Sequence, residues 1–235
     1  VDLAVAAGEI VAIAGVAGNG QQALAELVSG TLAPDRGTVT VARRPMPPDP
    51  RVWIAAGVAR IPEDRHAVGV VGDLPVWENV ISERLRTPAF TRAGFVRRAA
   101  GRAQAQELVR RFDVRLSGID VPTRSLSGGN MQKLILGRAL SVGDAERPRF
   151  IVASQPTWGL DIGAVAYVHQ CLLDAAAAGA AVLLISEDLD EIFALADRIG
   201  VMYHGGLSPL RSAESWTLSE IGLAMAGTGG AAHAA

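Results

Sequence analysis

At 235 residues, with 49 % apolar and 20 % charged side chains, the chain is long enough to enclose a substantial core and has the balance of a globular protein. Its net charge of -2 leaves no basic excess for neutralising phosphates, which excludes a general nucleic-acid binder. The longest apolar stretch, Ala175 to Ile185, is 11 residues and too short to cross a bilayer.

The first predicted strand is Glu9-Ile10-Val11-Ala12-Ile13-Ala14, an unbroken apolar run. Gly15-Val16-Ala17-Gly18-Asn19-Gly20-Gln21-Gln22 follows as a glycine-rich turn, and Ala23 to Val28 reads as a helix. Pro34-Asp35-Arg36-Gly37 is a turn into the short strand Thr38 to Val41, and Pro45 to Pro50 is a proline-rich loop. The apolar stretch Ala55 to Ile61 ends in the polar cluster Pro62-Glu63-Asp64-Arg65-His66. From Pro75 to about Thr123 the pattern turns helical and Arg/Glu-laced, as expected of an inserted lobe. Ser125 to Val142 reads as a glycine-rich turn opening a helix. Strands at Phe150 to Ala153, Ala181 to Ile185 and Arg198 to Tyr203 then alternate with helices at Val165 to Ala178 and Leu189 to Ala196. That alternation predicts an α/β fold with a mostly parallel sheet. Expected divisions are 1–74 for the first part of the core, 75–124 for the helical subdomain and 125–226 for the rest of the core. The Gly/Ala-rich 227–235 is expected to be a disordered tail. The lone Cys171 suits a reducing compartment and a buried structural thiol. Val1 is not a methionine and stands close to the first strand, so an excised piece of a longer chain is expected.

Strand, glycine turn and helix is the arrangement of a phosphate-binding loop, whose backbone N–H groups hold an anion. Gly15 to Gln22 matches G-x-x-x-x-G-K-[ST] at both glycines and fails at the last two positions. Gln21 replaces the lysine that reaches the β- and γ-phosphates, and Gln22 replaces the hydroxyl that binds Mg²⁺. Lys133 is the only lysine in the chain, so no neighbouring lysine can substitute. Taken alone, the loop is equally well a tight strand-to-helix turn. Leu126-Ser127-Gly128-Gly129-Asn130 opens a second helix with N–H groups and a hydroxyl, which suits an anion or a plain N-cap.

These stretches, with Phe150 to Ser154-Gln155 and Ile185-Ser186-Glu187-Asp188, resemble the nucleotide-binding domain of ATP-binding cassette (ABC) transporters over essentially the whole chain. The resemblance implies a P-loop NTPase-type core with an inserted α-helical subdomain. Leu126 to Asn130 matches the family signature, and Gly15, Gly18, Asn19, Gly20, Gln21 and Gln22 fall on the Walker A loop. Ser154 and Gln155 fall where the Walker B aspartate and catalytic glutamate belong. Asp161 falls in the D-loop, Glu187 at the switch histidine and Glu63 at the Q-loop glutamine. ATP with Mg²⁺ is the implied cofactor. Hydrolysis by such domains depends on positioning and on charge neutralisation by lysine and Mg²⁺. General-base catalysis contributes on the order of 10²–10⁴ in rate, and Gln155 cannot act as a base. Negligible turnover is therefore expected at this loop.

In the family two cassettes face each other head to tail, each ATP lying between one Walker loop and the other's signature. An intact Ser127-Gly128-Gly129 beside a substituted loop implies an asymmetric pair, with this signature completing the partner's active site. Ile61 to Arg65, Asn130 and Gln132, and Pro156-Thr157-Trp158-Gly159-Leu160-Asp161 resemble the C-terminal cassette of tandem importer ATPases for simple sugars and nucleosides. Ser154-Gln155 and Ser186 to Glu191 favour the nucleoside branch. The implied partners are a second cassette in the N-terminal half of the same polypeptide, membrane permease subunits and, indirectly, a solute-binding protein. No nucleic acid is implied. The implied location is the cytoplasmic face of the membrane, peripherally. The adenine-stacking aromatic would lie upstream of Val1, and Trp158 would pack near the cassette interface. Arg65, Trp77 and Glu78 are the candidate permease contacts, their alternative being ordinary solvated or packed residues. A soluble cassette acting on DNA or ribosomes, or a regulatory nucleotide-sensing module, are the competing functions.

Overall fold

The computed structural model describes residues 1–141 and 147–227; the expected tail at 228–235 lies outside the described residues. The chain divides into two units. The first contains Val1–Arg60, Pro148–Gln155 and His169–Ala235, and the second Ile61–Arg147 and Pro156–Val168.

The first unit is built on a sheet whose centre is β1 (Ile10–Ala14). After it come α1 (Gln21–Leu27), the small hairpin β2 (Thr40–Val41) and β3 (Arg44–Pro45), α2 (Pro50–Ala55) and β4 (Val58–Ile61). The unit resumes with β7 (Phe150–Ser154), the later part of α6 (Ile162–Ala177), β8 (Ala181–Ser186), α7 (Leu189–Leu195) and β9 (Arg198–Tyr203). It ends with β10 (Gly206–Leu207), β11 (Arg211–Ser212) and α8 (Leu218–Met225). The strand order is β10-β9-β1-β8-β7-β4, with β11 also on β9. β7, β8, β1 and β9 pair in parallel, with Ile13 opposite Ile185 and Gly200. Every residue of β1 and β8 is buried, which is why both read as continuous apolar runs rather than alternating ones. The short β10 and β11 return antiparallel along β9.

Two elements of this unit depart from the sequence reading. The segment read as a proline-rich loop ends in α2, because Pro50 sits in the first turn, where its missing N–H costs nothing. Asp49 caps the same turn by accepting from Arg51 N at 3.0 Å. Trp53 on α2 is buried in the apolar cluster of Val11, Leu24 and Leu183, its Nε1 donating to Pro47 O at 2.7 Å. The expected helix start at Ala23 is Gln21.

The second unit is helical, with α3 (Val76–Ile81), the hairpin β5 (Thr91–Arg92) and β6 (Phe95–Val96), α4 (Arg98–Arg111) and α5 (Gly128–Leu140). Val76, Trp77, Leu108, Met131 and Ile135 are buried there. Glycine permits two close approaches. A Cβ on Gly137 of α5 would stand 2.8 Å from Leu108 Cδ2, and one on Gly101 of α4 would stand 3.1 Å from Trp77 Cε3. Buried Asn79 closes the start of the unit. Its Oδ1 accepts from Val71 N at 2.8 Å, while its Nδ2 donates to Val71 O and, at 2.8 Å, to Thr123 Oγ1. The second unit begins at Ile61, the end of β4, and takes in α5 as well as the stretch expected at 75–124.

Candidate functional site

In an open parallel sheet, ligands bind beyond the carboxyl ends of the strands. The segments after β1, β7, β8 and β9 meet at that edge of the first unit. Asn19 ties the loop after β1 to the turn after β9: its Oδ1 accepts from His204 N at 3.0 Å and its carbonyl from Gly205 N at 2.9 Å. Gly18 and Gly20 have φ of +87° and +110°, and a Cβ at Gly15 would lie 2.7 Å from Met202 O. The glycine spacing is therefore demanded by backbone conformation and close packing.

The side chains set into this loop are those of a neutral turn. Gln21, 8 % exposed, turns back on its own loop, and its Nε2 donates to Val16 O at 2.9 Å. Its Oε1 is enclosed without a hydrogen-bond partner. Gln22 points away and donates to Glu26 Oε1 at 3.0 Å. Ser154, the last residue of β7, is buried, and Gln155 after it has φ of +45°. Gln155 N donates to Ile185 O at 2.8 Å, and its Oε1 accepts from Glu187 N at 3.2 Å. The residues expected at Walker A, Walker B and the switch position are thus gathered at one edge.

This edge does not suit a Mg²⁺-nucleotide. Mg²⁺ is typically held by one or two carboxylates plus phosphates and waters, whereas Gln21 and Gln22 offer two amides at the loop, Ser154 a buried hydroxyl at the end of β7 and Gln155 one amide after it. Gln21 Nε2 spends one of its two N–H donors on Val16 O and carries no charge, and its Oε1 is a bare acceptor. Among the described residues no group of three or more His, Cys, Asp or Glu is placed to hold a metal ion.

The second unit carries a cavity of about 660 Å³ lined by Ser127, Gly128, Gly129, Asn130, Lys133 and Asp161, among others. Ser127 is the N-cap of α5, so the N–H groups of Gly128 and Gly129 open the helix without intrahelical acceptors. Asp161 accepts from Ala164 N at 2.9 Å and so starts α6. Lys133 Nζ donates to Asp113 O at 3.0 Å and to Asp113 Oδ2 at 2.9 Å, and lies 5.1 Å from the Tyr167 ring centre. The ammonium beside Asp113 holds that carboxyl below its ordinary range. The residues expected at the signature and the D-loop therefore share one cavity, with cationic side chains beside it.

Other expected site residues fall elsewhere. Arg65 donates to Trp158 O at 2.7 Å and to Gly159 O at 3.5 Å, so its guanidinium organises its own unit. Asp64, beside the exposed Glu63, accepts from His66 N and Ala67 N, which lowers its pKa. Trp77 departs from the expectation of a docking residue. It is 6 % exposed, because it faces Gly101 of α4. Glu78 is half-buried. Trp158 is 68 % exposed and Ile162 89 %, whereas Cys171 is only half-buried. Sequence reasoning missed the Asn19–His204 link, whose sole signal was an asparagine between two glycines. It also missed the bond from buried Gln132 Nε2 to Pro156 O at 2.7 Å.

A parallel sheet with a glycine loop at its carboxyl edge and a helical insertion defines a P-loop NTPase-type fold. The structure superposes on the dimeric, post-hydrolysis ATP-binding cassette MJ0796 bound to ADP and Pi with a TM-score of 0.74 and 20 % identity, covering 92 % of this chain and 90 % of that one. With the ADP conformation of the cassette MJ1267 the TM-score is 0.70 at 20 % identity, over 96 % and 87 % of the two chains. The chain belongs to the ABC transporter family, whose sequence profile matches residues 1–156. It is 40 % identical to the guanosine import ATP-binding protein NupO of Bacillus subtilis over 96 % of this chain and 44 % of that protein. It is 42 % identical to the glucose import ATP-binding protein TsgD13 of Haloferax volcanii, over 98 % and 42 %. The nucleoside import ATP-binding protein NupA of Lactococcus lactis is 39 % identical over 96 % and 44 %. The chain spans less than half the length of these curated relatives.

Proposed function

We propose that this chain is one cassette of an asymmetric pair that couples ATP binding and hydrolysis to import of a nucleoside or simple sugar. Its own loop is hydrolytically silent, and its signature completes the ATP site of a partner cassette. The observation that carries this reading is the contrast between the two sites. The 660 Å³ cavity keeps Ser127, two helix-opening glycines and Asp161, whereas Gln21 folds a neutral amide into the loop after β1. Partial coverage of curated relatives is what a tandem arrangement would produce, with the partner cassette as the N-terminal half of the same polypeptide. Import partners would be permease subunits and a solute-binding protein, with the cassettes at the cytoplasmic face of the membrane. Among the described residues no helix is long and apolar enough to cross a membrane. ATP and Mg²⁺ would be held chiefly by the partner's Walker residues.

The test is ATP turnover by the complete protein with its partner cassette. Ser127→Arg places a long cation in the cavity, and turnover is expected to fall by at least about tenfold, the scale of a lost charge-assisted contact. Unchanged turnover would remove the trans-signature role. The chain alone is expected to hydrolyse ATP at background rate, and vigorous hydrolysis by it would contradict the silent loop.

A further inference from the structure

We propose that Asn130 is a positioning residue that forces the Ser127 hydroxyl to act as a donor into the cavity, toward a phosphate oxygen of a nucleotide. The proposal rests on the reading of this cavity as part of a composite ATP site.

The polarity of the Asn130 amide is fixed by its neighbour. Arg115 N donates to Asn130 Oδ1 at 2.7 Å, and a backbone N–H can only donate, so the carbonyl oxygen must face Arg115. The NH₂ end then faces Ser127, and Nδ2 donates to Ser127 Oγ at 2.9 Å. The same Oγ also receives Asn130 N at 3.5 Å, the N-cap bond of α5. A serine hydroxyl accepts twice and donates once. With both acceptor positions turned to Asn130, what remains is the O–H proton, on an exposed side chain at the cavity wall. A phosphate oxygen only accepts, and of the two faces a hydroxyl can present, lone pair or proton, Asn130 leaves the proton. The backbone N–H groups of Gly128 and Gly129 present the same sign. Lys133 makes no bond to Ser127 or Asn130; two of its three Nζ donors go to Asp113.

Asn130→Asp separates this role from a merely structural one. An aspartate has nearly the same shape and can still accept from Arg115 N. Its second oxygen can only accept, so it would draw the Ser127 proton to itself and away from the cavity. Steady-state ATP turnover would be measured on the complete protein with its partner cassette, with thermal unfolding recorded for each variant. Ser127→Ala is expected to lower kcat/KM about tenfold or more, as for a hydrogen bond to a charged group. Asn130→Asp is expected to lose at least as much with little change in unfolding temperature. Asn130→Ala is expected to cost about threefold with Ser127 present, the scale of a neutral hydrogen bond, and nothing further in a Ser127→Ala background. Near-normal turnover in Asn130→Asp, or the same loss from Asn130→Ala in both backgrounds, overturns the positioning role and leaves the composite site standing. No loss from Ser127→Ala overturns the composite site and the positioning role together.

Discussion

A single position decides how the loop after β1 meets a phosphate. A lysine would bring a positive charge and three donors on a flexible stem. Gln21 brings an uncharged donating end, one of whose two N–H groups is taken by Val16 O, and one accepting end that is enclosed and unpaired. An enclosed acceptor without a partner costs about 1–3 kcal/mol, so the loop carries a local penalty for keeping its glutamine. Gln21→Lys removes that acceptor and adds charge where a phosphate would lie. It is expected to tighten binding of a fluorescent ATP analogue to the chain by about tenfold, since one charge-assisted contact is gained. Turnover should stay at background, because Gln155 still cannot act as a base, and should rise only when Gln22→Ser, Ser154→Asp and Gln155→Glu are added. If Gln21→Lys alone restored turnover, the silence of the loop would have to be traced to charge and nothing else.

At the scale of elements, the sequence was legible where one physical cause dominates. Strands buried on both faces, such as β1 and β8, read as unbroken apolar runs, and the loops at their carboxyl ends followed directly. It was least legible where several causes compete. Pro50 signalled a loop, although at the first turn of α2 it favours a helix. Trp77 on the six-residue α3 could have faced either way, and only packing against α4 puts it inside. The Asn79–Thr123 bond joins residues 44 apart, which no local pattern announces. The side-chain directions of Gln21 and Asn130, on which the roles proposed for the two sites rest, were equally hidden. Helical glycines make the same point as a paired prediction. At Gly137 an added Cβ meets Leu108 Cγ at 2.9 Å, and overpacking of about 1–3 kcal/mol outweighs a helix-propensity gain of about 1. At Gly222 on α8 nothing lies within 4 Å, so Ala gains propensity without a clash. Urea titration should show Gly137→Ala destabilised and Gly222→Ala stabilised. Equal shifts would mean that α5 can move away from Leu108.

At the scale of the molecule, the first unit is assembled from segments far apart in the sequence, and one ion pair shows how that assembly depends on pH. Glu9 precedes β1, whereas Arg198 opens β9; Arg198 Nη2 donates to Glu9 Oε2 at 2.9 Å across a separation of 189 residues. Ala6 N donates to the same oxygen at 2.7 Å. The Arg198 hydrogen bond, with help from the Ala6 N–H, lowers the Glu9 pKa against the opposing effect of burial. A carboxyl with a depressed folded pKa binds its proton more tightly in the unfolded chain. Its stabilisation is therefore fully present above the ordinary glutamate range and is lost as pH falls through the folded value. Arg198 stays charged throughout, so the loss belongs to Glu9 alone. The pair is partly exposed and screened, which limits its worth to about 1 kcal/mol or less. Glu9→Gln keeps the shape and removes the titration. At pH 7 it should lower the urea midpoint slightly, and below the ordinary glutamate range the difference from the parent chain should close. A difference that persists unchanged into acid would show that the glutamine disturbs the packing of β1 and β9 rather than removing a charge. A sheet edge that gathers Gly15 to Gln22, Gln155 and Glu187 needs β1 and β9 in register, so the same variant reports whether this distant pair helps to hold the loop against His204.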